Sequence, residues 1–147
     1  MTRAMPFALS KTSRRNLQGV HPDLIRVVER AISATDLDFR VNEGLRSKER
    51  QAQIVASGAS HTTRSRHLTG HAVDLVALLD GAVRWDWPLY IRLANVMRQA
   101  ADLEKVPLER GGNWRRIDGL RFDVTSHDLS REFPDGPHYK LPRSDYP

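Results

Sequence analysis

An apolar run from Ala72 to Leu79, interrupted only by Asp74, is the feature that most constrains this chain. Its composition predicts a buried strand. An ionised carboxylate inside such a strand is costly unless a cation, a hydrogen-bond network or a metal ion compensates it. Asp74 could also lie at a strand end and cap backbone amides, so the residue alone leaves both interpretations open.

Two histidines favour the metal interpretation. His67 precedes the strand across Gly70, and a glycine permits a bend that would bring His67 and Asp74 together. His138 follows a Gly-Pro pair, which suits a tight turn. A catalytic zinc site uses three protein ligands with nitrogen or oxygen donors and leaves a fourth position to water. We therefore predict His67, Asp74 and His138 as the ligands of a zinc ion.

Two further residues lie close to these candidates in the sequence. His71 is four residues after His67, a spacing that places both on one face of a helix, but Gly70 and the following strand argue against a helix here. We expect His71 to be a supporting or surface residue. Asp135, three residues before His138, could take a proton from a water molecule in the site, or could be an ordinary turn residue.

Length and composition indicate one domain. The chain has 147 residues, no cysteine and a formal net charge of +5. This length can bury a core without disulfides, and the missing cysteines exclude thiolate catalysis and cysteine-based zinc sites. The basic balance favours a polyanionic neighbour. Residues 1–20 form a basic arm without an apolar run long enough for a signal peptide or a membrane span, so we expect no export by the usual route.

Hydrophobic periodicity predicts alternating helices and short strands. We expect helices at 22–34, 47–57 and 86–105, and strands at 38–45, 72–79, 82–85, 106–108 and 138–141. A loop is expected at 59–66, a break at 111–114, a polar stretch to 133 and a tail at 142–147. The predicted class is α+β, with a small antiparallel sheet packed against about three helices in a single domain, 1–147.

The central motif resembles a known enzyme family. Ser65-x-His67-x-x-Gly70-x-Ala72-x-Asp74, together with Asp135-x-Pro137-His138, resembles the zinc peptidases of the D-alanyl-D-alanine carboxypeptidase (VanY-like) superfamily. Within it, the chain is most similar to phage endolysins that act as L-alanyl-D-glutamate peptidases. The His21-Pro22-Asp23-Leu24, Gly44-Leu45-Arg46-Ser47 and Gly111-Gly112-Asn113-Trp114 segments follow in family order.

The resemblance implies a zinc-dependent endopeptidase that hydrolyses the peptidoglycan stem peptide at the L-alanyl-D-glutamate bond. It implies Zn²⁺ on His67, Asp74 and His138, Asp135 as the general base, and Arg46 as a stabiliser of the oxyanion. An alternative for Arg46 is a solvated charge at a helix start. We expect a monomer without stable membrane insertion, held in the host cytoplasm until the membrane is permeabilised and then acting in the periplasm or cell wall.

Three other functions are compatible with parts of the sequence. A D,D-carboxypeptidase or dipeptidase would use the same metal site to remove terminal D-alanine. A basic nucleic-acid-binding module would explain the net charge, but the basic residues are scattered and mixed with acids, so we expect no nucleic-acid partner. A catalytically inactive wall-binding domain is disfavoured because the candidate ligand set is complete.

Overall fold

A computed structural model describes residues 7–58, 65–111, 115–117 and 137–147. These residues form four α-helices and six short strands in an α+β arrangement. In chain order the elements are α1 (Lys11–Asn16), α2 (Pro22–Ala34), β1 (Phe39–Glu43), α3 (Lys48–Ala56), a 3-10 turn (Arg66–Thr69), β2 (Ala72–Leu79), β3 (Ala82–Arg84), α4 (Trp87–Glu104), β4 (Glu109–Arg110), β5 (Arg115–Arg116) and β6 (His138–Lys140).

Strand β2 is the centre of an antiparallel sheet. The strand order is β1-β2-β6-β4-β5, and β3 also pairs with β2. Residues 72–74 of β2 pair with β6 and residues 77–79 pair with β3, while β1 pairs opposite residues 74–77. Since β1 overlaps both of the other partners in register, β6 and β3 follow one another along the edge of β2 that faces away from β1.

The two faces of β2 serve different purposes. Side chains alternate between the faces of a strand, and Val73, Leu75 and Ala77 contribute to the hydrophobic core together with α2 and α4. Asp74 belongs to the opposite face, where Glu43 and His138 are its register partners on the two neighbouring strands. The sheet therefore brings polar side chains from three strands together at one end of β2.

The helices follow the predicted positions closely. α2 begins after His21, whose Nδ1 accepts a hydrogen bond from the Asp23 amide at 3.0 Å. It buries the five apolar residues that recur in the sequence at three- and four-residue spacing: Leu24, Val27, Val28, Ala31 and Ile32. α3 begins after Ser47, which caps the Arg50 amide at 3.0 Å. α4 begins at Trp87, with Pro88 in its first turn. Among the described residues, no helix combines the length and apolar character needed to cross a bilayer.

Three elements, α1, β4 and β5, differ from the sequence-based expectation, and β5 lies in the polar stretch where no strand was expected. Helix α1 lies within the segment interpreted as a basic arm; Ser10 caps its first turn and Ser13 is buried. The strand expected at 106–108 is wrong by about two residues, because β4 comprises Glu109–Arg110. Val106 and Leu108 are buried in the core, whereas the paired residues are polar. Pairing with β6 and β5 therefore decides the position of this strand, not its local hydrophobicity.

Candidate metal centre

The segment before β2 positions His67. Ser65 accepts a hydrogen bond from the His67 amide at 3.2 Å and begins the 3-10 turn, which ends at Gly70 in the left-handed conformation with a φ of 76°. A side chain would be strained at this angle, and a Cβ added to Gly70 would lie 2.2 Å from the carbonyl oxygen of Gly19. Gly70 therefore permits the close turn that places His67 beside the start of β2.

A hydrogen bond to the backbone orients the His67 ring. His67 Nδ1 lies 2.8 Å from the carbonyl oxygen of Gly44, and the side chain is 2% exposed. Because a carbonyl can only accept, Nδ1 carries the proton, and Nε2 of the neutral ring keeps its lone pair. Nε2 lies 3.2 Å from Asp74 Oδ1. This is the arrangement by which metal-binding histidines are commonly held in one tautomer.

His138 reaches the same carboxylate from the other side. It lies opposite Asp74 in the β2–β6 pair, and its Nδ1 is 3.1 Å from Asp74 Oδ1. The ring centroids of His67 and His138 are 5.0 Å apart, with an angle of 63° between the planes. The structure thus brings the three predicted ligands together, with one donor atom of each within 4.8 Å of the others.

Two of the three donor-atom separations fit a small tetrahedral cation. Zinc–nitrogen and zinc–oxygen bonds of about 2.0–2.2 Å place tetrahedral ligand atoms about 3.3 Å apart. The separations of 3.2 Å and 3.1 Å from Asp74 Oδ1 to the two imidazole nitrogens agree with this value. Two imidazoles and one carboxylate are also a donor set that zinc uses in catalytic sites.

Electrostatics keep Asp74 ionised. Burial raises the pKa of the Asp74 carboxyl, but the imidazoles of His138 and His67, which can donate to it when protonated, outweigh that effect and hold its pKa far below the ordinary value. The carboxylate is therefore charged at neutral pH and available to a cation. This explains how an acidic residue is accommodated in the apolar run of β2.

Arg46 lies beside the triad. Its Nη2 is 3.7 Å from Asp74 Oδ2, and its side chain is 8% exposed. Its backbone amide donates a hydrogen bond to the carbonyl oxygen of His67 at 2.9 Å. The guanidinium is therefore a buried cation next to the candidate ligands rather than a solvated charge at the start of α3.

The remaining predicted site residues have different positions. Asp135, the polar stretch at 118–133, and most of the predicted loop at 59–66 and of the predicted break at 111–114 lie outside the described residues. His71 packs its ring against His21, at 5.5 Å between centroids, and against Tyr146, at 6.3 Å. His71 Nδ1 lies 2.6 Å from Thr69 Oγ1. His71 thus packs with His21 and Tyr146. It is not part of the metal-binding group found among the described residues.

Sequence reasoning did not identify three residues that support the site. Gly44 supplies the carbonyl that holds His67, and Glu43 and Gln51 both accept hydrogen bonds from Arg46. The i,i+3 spacing of Glu43 and Arg46 was the available signal for one contact. The contact with Gln51 requires the position of α3 relative to β1, which local patterns do not provide.

Comparison with known proteins identifies the family. A family model described as phage L-alanyl-D-glutamate peptidase matches residues 5–141. The chain belongs to this family. The L-alanyl-D-glutamate peptidase of Escherichia phage T5 is 29% identical over 141 residues, which cover 93% of this chain and 99% of the relative. That of Listeria phage A118 is 38% identical over 78 residues, which cover 53% of this chain and 27% of the relative.

A solved structure agrees with the family assignment. The crystal structure of the L-Ala D-Glu endopeptidase ChiX of Serratia marcescens is similar to this chain with a TM-score of 0.79 and 42% sequence identity. The match covers 95% of this chain and 92% of that chain. The α+β class predicted from the sequence is confirmed by the structure and by this neighbour.

Proposed function

We propose that the protein is a zinc-dependent endopeptidase that hydrolyses the L-alanyl-D-glutamate bond of the peptidoglycan stem peptide during bacterial cell lysis. The observation that carries the proposal is the convergence of His67, Asp74 and His138, with donor atoms within 4.8 Å, in a member of the L-alanyl-D-glutamate peptidase family. The names of the phage relatives and of the Serratia endopeptidase support the choice of bond.

The three ligands define the chemistry available at the site. A zinc ion held by His67, Asp74 and His138 would polarise the carbonyl of the scissile bond and lower the pKa of a water molecule. The Gly44 carbonyl keeps Nε2 of His67 free to bind, and pairing of β2 with β6 holds His138 opposite Asp74. These contacts fix the ligand atoms before the substrate arrives.

Two other side chains complete the proposed mechanism. Asp135, placed by the sequence three residues before His138, accepts the proton of the attacking water. Arg46 donates N–H groups to the oxyanion that develops on the attacked carbonyl oxygen. A guanidinium suits this role because it stays charged and its planar donors have fixed directions. Its Nη2, 3.7 Å from Asp74 Oδ2, supports the assignment.

The net charge of +5 fits a wall substrate. A basic protein is attracted to an anionic envelope, and the attraction raises its local concentration there. Several arginines on the surface pair with carboxylates, such as Arg26 with Asp23, Arg84 with Asp86 and Arg92 with Asp36. This dispersed pairing is unlike the concentrated basic face of nucleic-acid-binding proteins. We propose that the enzyme reaches the wall once the inner membrane has been opened.

Digestion of purified peptidoglycan tests the proposal. Mass spectrometry should find released peptides that begin with D-glutamate, and glycan strands that keep only L-alanine on the muramic acid. Treatment with a chelator should abolish release, and added Zn²⁺ should restore it. Release of free D-alanine alone would instead identify a D,D-carboxypeptidase. Salt-sensitive DNA binding that persists in chelator, without wall hydrolysis, would identify a nucleic-acid-binding module.

A further inference from the structure

Glu43 forms a two-point ion pair with Arg46. Arg46 Nε donates to Glu43 Oε1 at 2.7 Å and Nη2 donates to Oε2 at 2.8 Å. The Arg46 side chain is 8% exposed and the Glu43 side chain is 25% exposed, so the pair is largely shielded from water. Two parallel hydrogen bonds between a carboxylate and a guanidinium fix the relative orientation of the two groups in addition to their electrostatic attraction. Glu43 thus restricts rotation of the guanidinium about its long side chain.

Gln51 holds the same guanidinium from a second direction. Its Oε1 accepts a hydrogen bond from Arg46 Nη1, and Gln51 is 1% exposed in the first half of α3. The cap formed by Ser47 fixes the start of this helix, and the Gln51 amide donates to the Ser47 carbonyl at 3.0 Å. Arg46 therefore lies between an acceptor at the end of β1 and an acceptor on α3.

These contacts determine which N–H groups of Arg46 remain available to a substrate. A guanidinium has five N–H groups, and the bonds to Glu43 and Gln51 use three of them. The Nε–Nη2 edge faces Glu43. Nη2 lies 3.7 Å from Asp74 Oδ2, which is too long for a hydrogen bond. Arg46 is thus held next to the Asp74 carboxylate as an ion pair without a hydrogen bond.

We propose that Glu43, assisted by Gln51, is a positioning residue that fixes Arg46 so that its remaining donors face the reacting carbonyl. The inference rests on the proposed function, because it assumes that Arg46 acts on the oxyanion. We call the contacts of Glu43 and Gln51 with Arg46 the clamp. The inference predicts that loss of the clamp impairs the chemical step while substrate binding and metal content are retained. Small displacements of such a group have large kinetic effects.

The first test is Glu43→Gln, which keeps the shape of the side chain but replaces one acceptor oxygen with an N–H₂ group that opposes the arginine donors. We expect kcat on a soluble muropeptide to fall about 10- to 10²-fold, with KM and zinc content close to those of the parent. Glu49→Gln is the matched control, because Glu49 carries the same charge at an exposed position on α3. It should leave kcat unchanged.

A double-mutant cycle separates positioning from general structural damage. Arg46→Ala should lower kcat by about 10²- to 10³-fold, the range for loss of one oxyanion donor. In the Arg46→Ala background, Glu43→Gln should cause no further loss, since its effect acts through Arg46. Gln51→Met, which removes the acceptor at similar volume, should give a smaller loss that also disappears without Arg46. If Glu43→Gln does not fold, Gln51→Met, measured with and without Arg46, carries the test.

NMR tests the contacts of Arg46 with Glu43 and Gln51 independently of an activity assay. The Nε–H resonance of Arg46, assigned by its absence in Arg46→Lys, should exchange slowly with water in the parent and in Glu49→Gln. Exchange should accelerate in Glu43→Gln. Unchanged exchange and unchanged kcat in Glu43→Gln would overturn the inference, as would an equal loss of kcat with and without Arg46. Full activity of Arg46→Ala would instead overturn the oxyanion role in the proposed function.

Discussion

Asp74 and His138 lie directly opposite each other in the antiparallel pair of β2 and β6, with 3.1 Å between Oδ1 and Nδ1. They are 64 positions apart in the sequence, so the register of two strands, and not a local turn, creates this part of the site. A slip of one residue would turn the imidazole to the other face of the sheet. The integrity of the candidate metal centre is thus tied to correct pairing of β6.

The first prediction concerns the three candidate ligands. His67→Ala, Asp74→Ala and His138→Ala should each lower zinc from about one ion per chain to near zero, because two remaining ligands hold the ion weakly. Peptidoglycan hydrolysis should fall to background. Metal analysis after dialysis is the measurement. His71→Ala is the control and should retain its zinc. A ligand variant with stoichiometric zinc and normal turnover would remove that residue from the set.

The second prediction separates the proposed base from the ligands. Asp135→Asn is nearly isosteric, but an amide does not accept a proton from water at neutral pH. Hydrolysis should fall about 10²- to 10⁴-fold, the usual effect of losing a general base, while zinc content and thermal stability stay close to the parent. Loss of zinc would make Asp135 a ligand, and full activity would require another base.

The parts of the fold that sequence reasoning predicted are those with strong local patterns. All five apolar positions selected in α2 are buried, since one helical face meets the core. On α4, Leu103 lies three residues after the buried Ala100, yet it is 63% exposed, so the spacing alone overstates its burial. β4 was misplaced because two-residue strands depend on their partners. Arg110, 1% exposed on β4, has no local signal for its burial.

In the candidate site too, some residues could be predicted from local sequence patterns and others could not. Asp74 was recognisable because a carboxylate in an apolar strand needs compensation, and the histidines offered it. The structure brings these three residues together. The contacts of Glu43 and Gln51 with Arg46 depend on where the fold places β1 and α3 relative to one another, and this information is distributed over the whole chain. Sequence patterns identify donor atoms more readily than the residues that orient them.

The third prediction concerns the hydrogen bond from the Tyr146 hydroxyl to Asp23 Oδ2, at 2.7 Å. This bond lowers the pKa of Asp23, whereas burial and the same bond raise the pKa of Tyr146 to about 12. Tyr146→Phe should lower the free energy of unfolding by about 1–2 kcal/mol at neutral pH. Because the folded pKa of Asp23 is depressed, the contribution is present above its unfolded value and is lost as the pH falls through the folded pKa.

Urea denaturation of parent and variant at several pH values checks this expectation, and the difference should shrink below about pH 4. Tyr139→Phe is the matched control. The Tyr139 hydroxyl is buried and has no hydrogen-bond partner in the described part of the chain. Its removal should be neutral or slightly stabilising, because an unsatisfied buried hydroxyl is costly. Equal losses in both variants, or a difference independent of pH, would contradict the assigned role of Tyr146.

The fourth prediction tests how closely the turn at Gly70 is linked to metal binding. Gly70 and Gly81 have nearly the same backbone angle, with φ of 76° and 81°. An added Cβ at Gly70 would lie 2.2 Å from the Gly19 carbonyl oxygen, whereas no atom of the described residues lies within 4 Å of that position at Gly81. Gly81→Ala thus introduces backbone strain alone, and Gly70→Ala adds a collision with the backbone.

Gly81→Ala should lower the free energy of unfolding by about 1–2 kcal/mol, and Gly70→Ala by about 2–5 kcal/mol. Only Gly70→Ala should weaken zinc binding, because relief of the collision moves the turn that carries His67. The Gly70 amide donates a hydrogen bond to the carbonyl oxygen of His67, and the Arg46 amide donates to the same oxygen. Denaturant unfolding and zinc competition titrations measure the two effects. Equal destabilisation with unchanged zinc affinity in both variants would show that Gly70 is needed for its backbone angle alone.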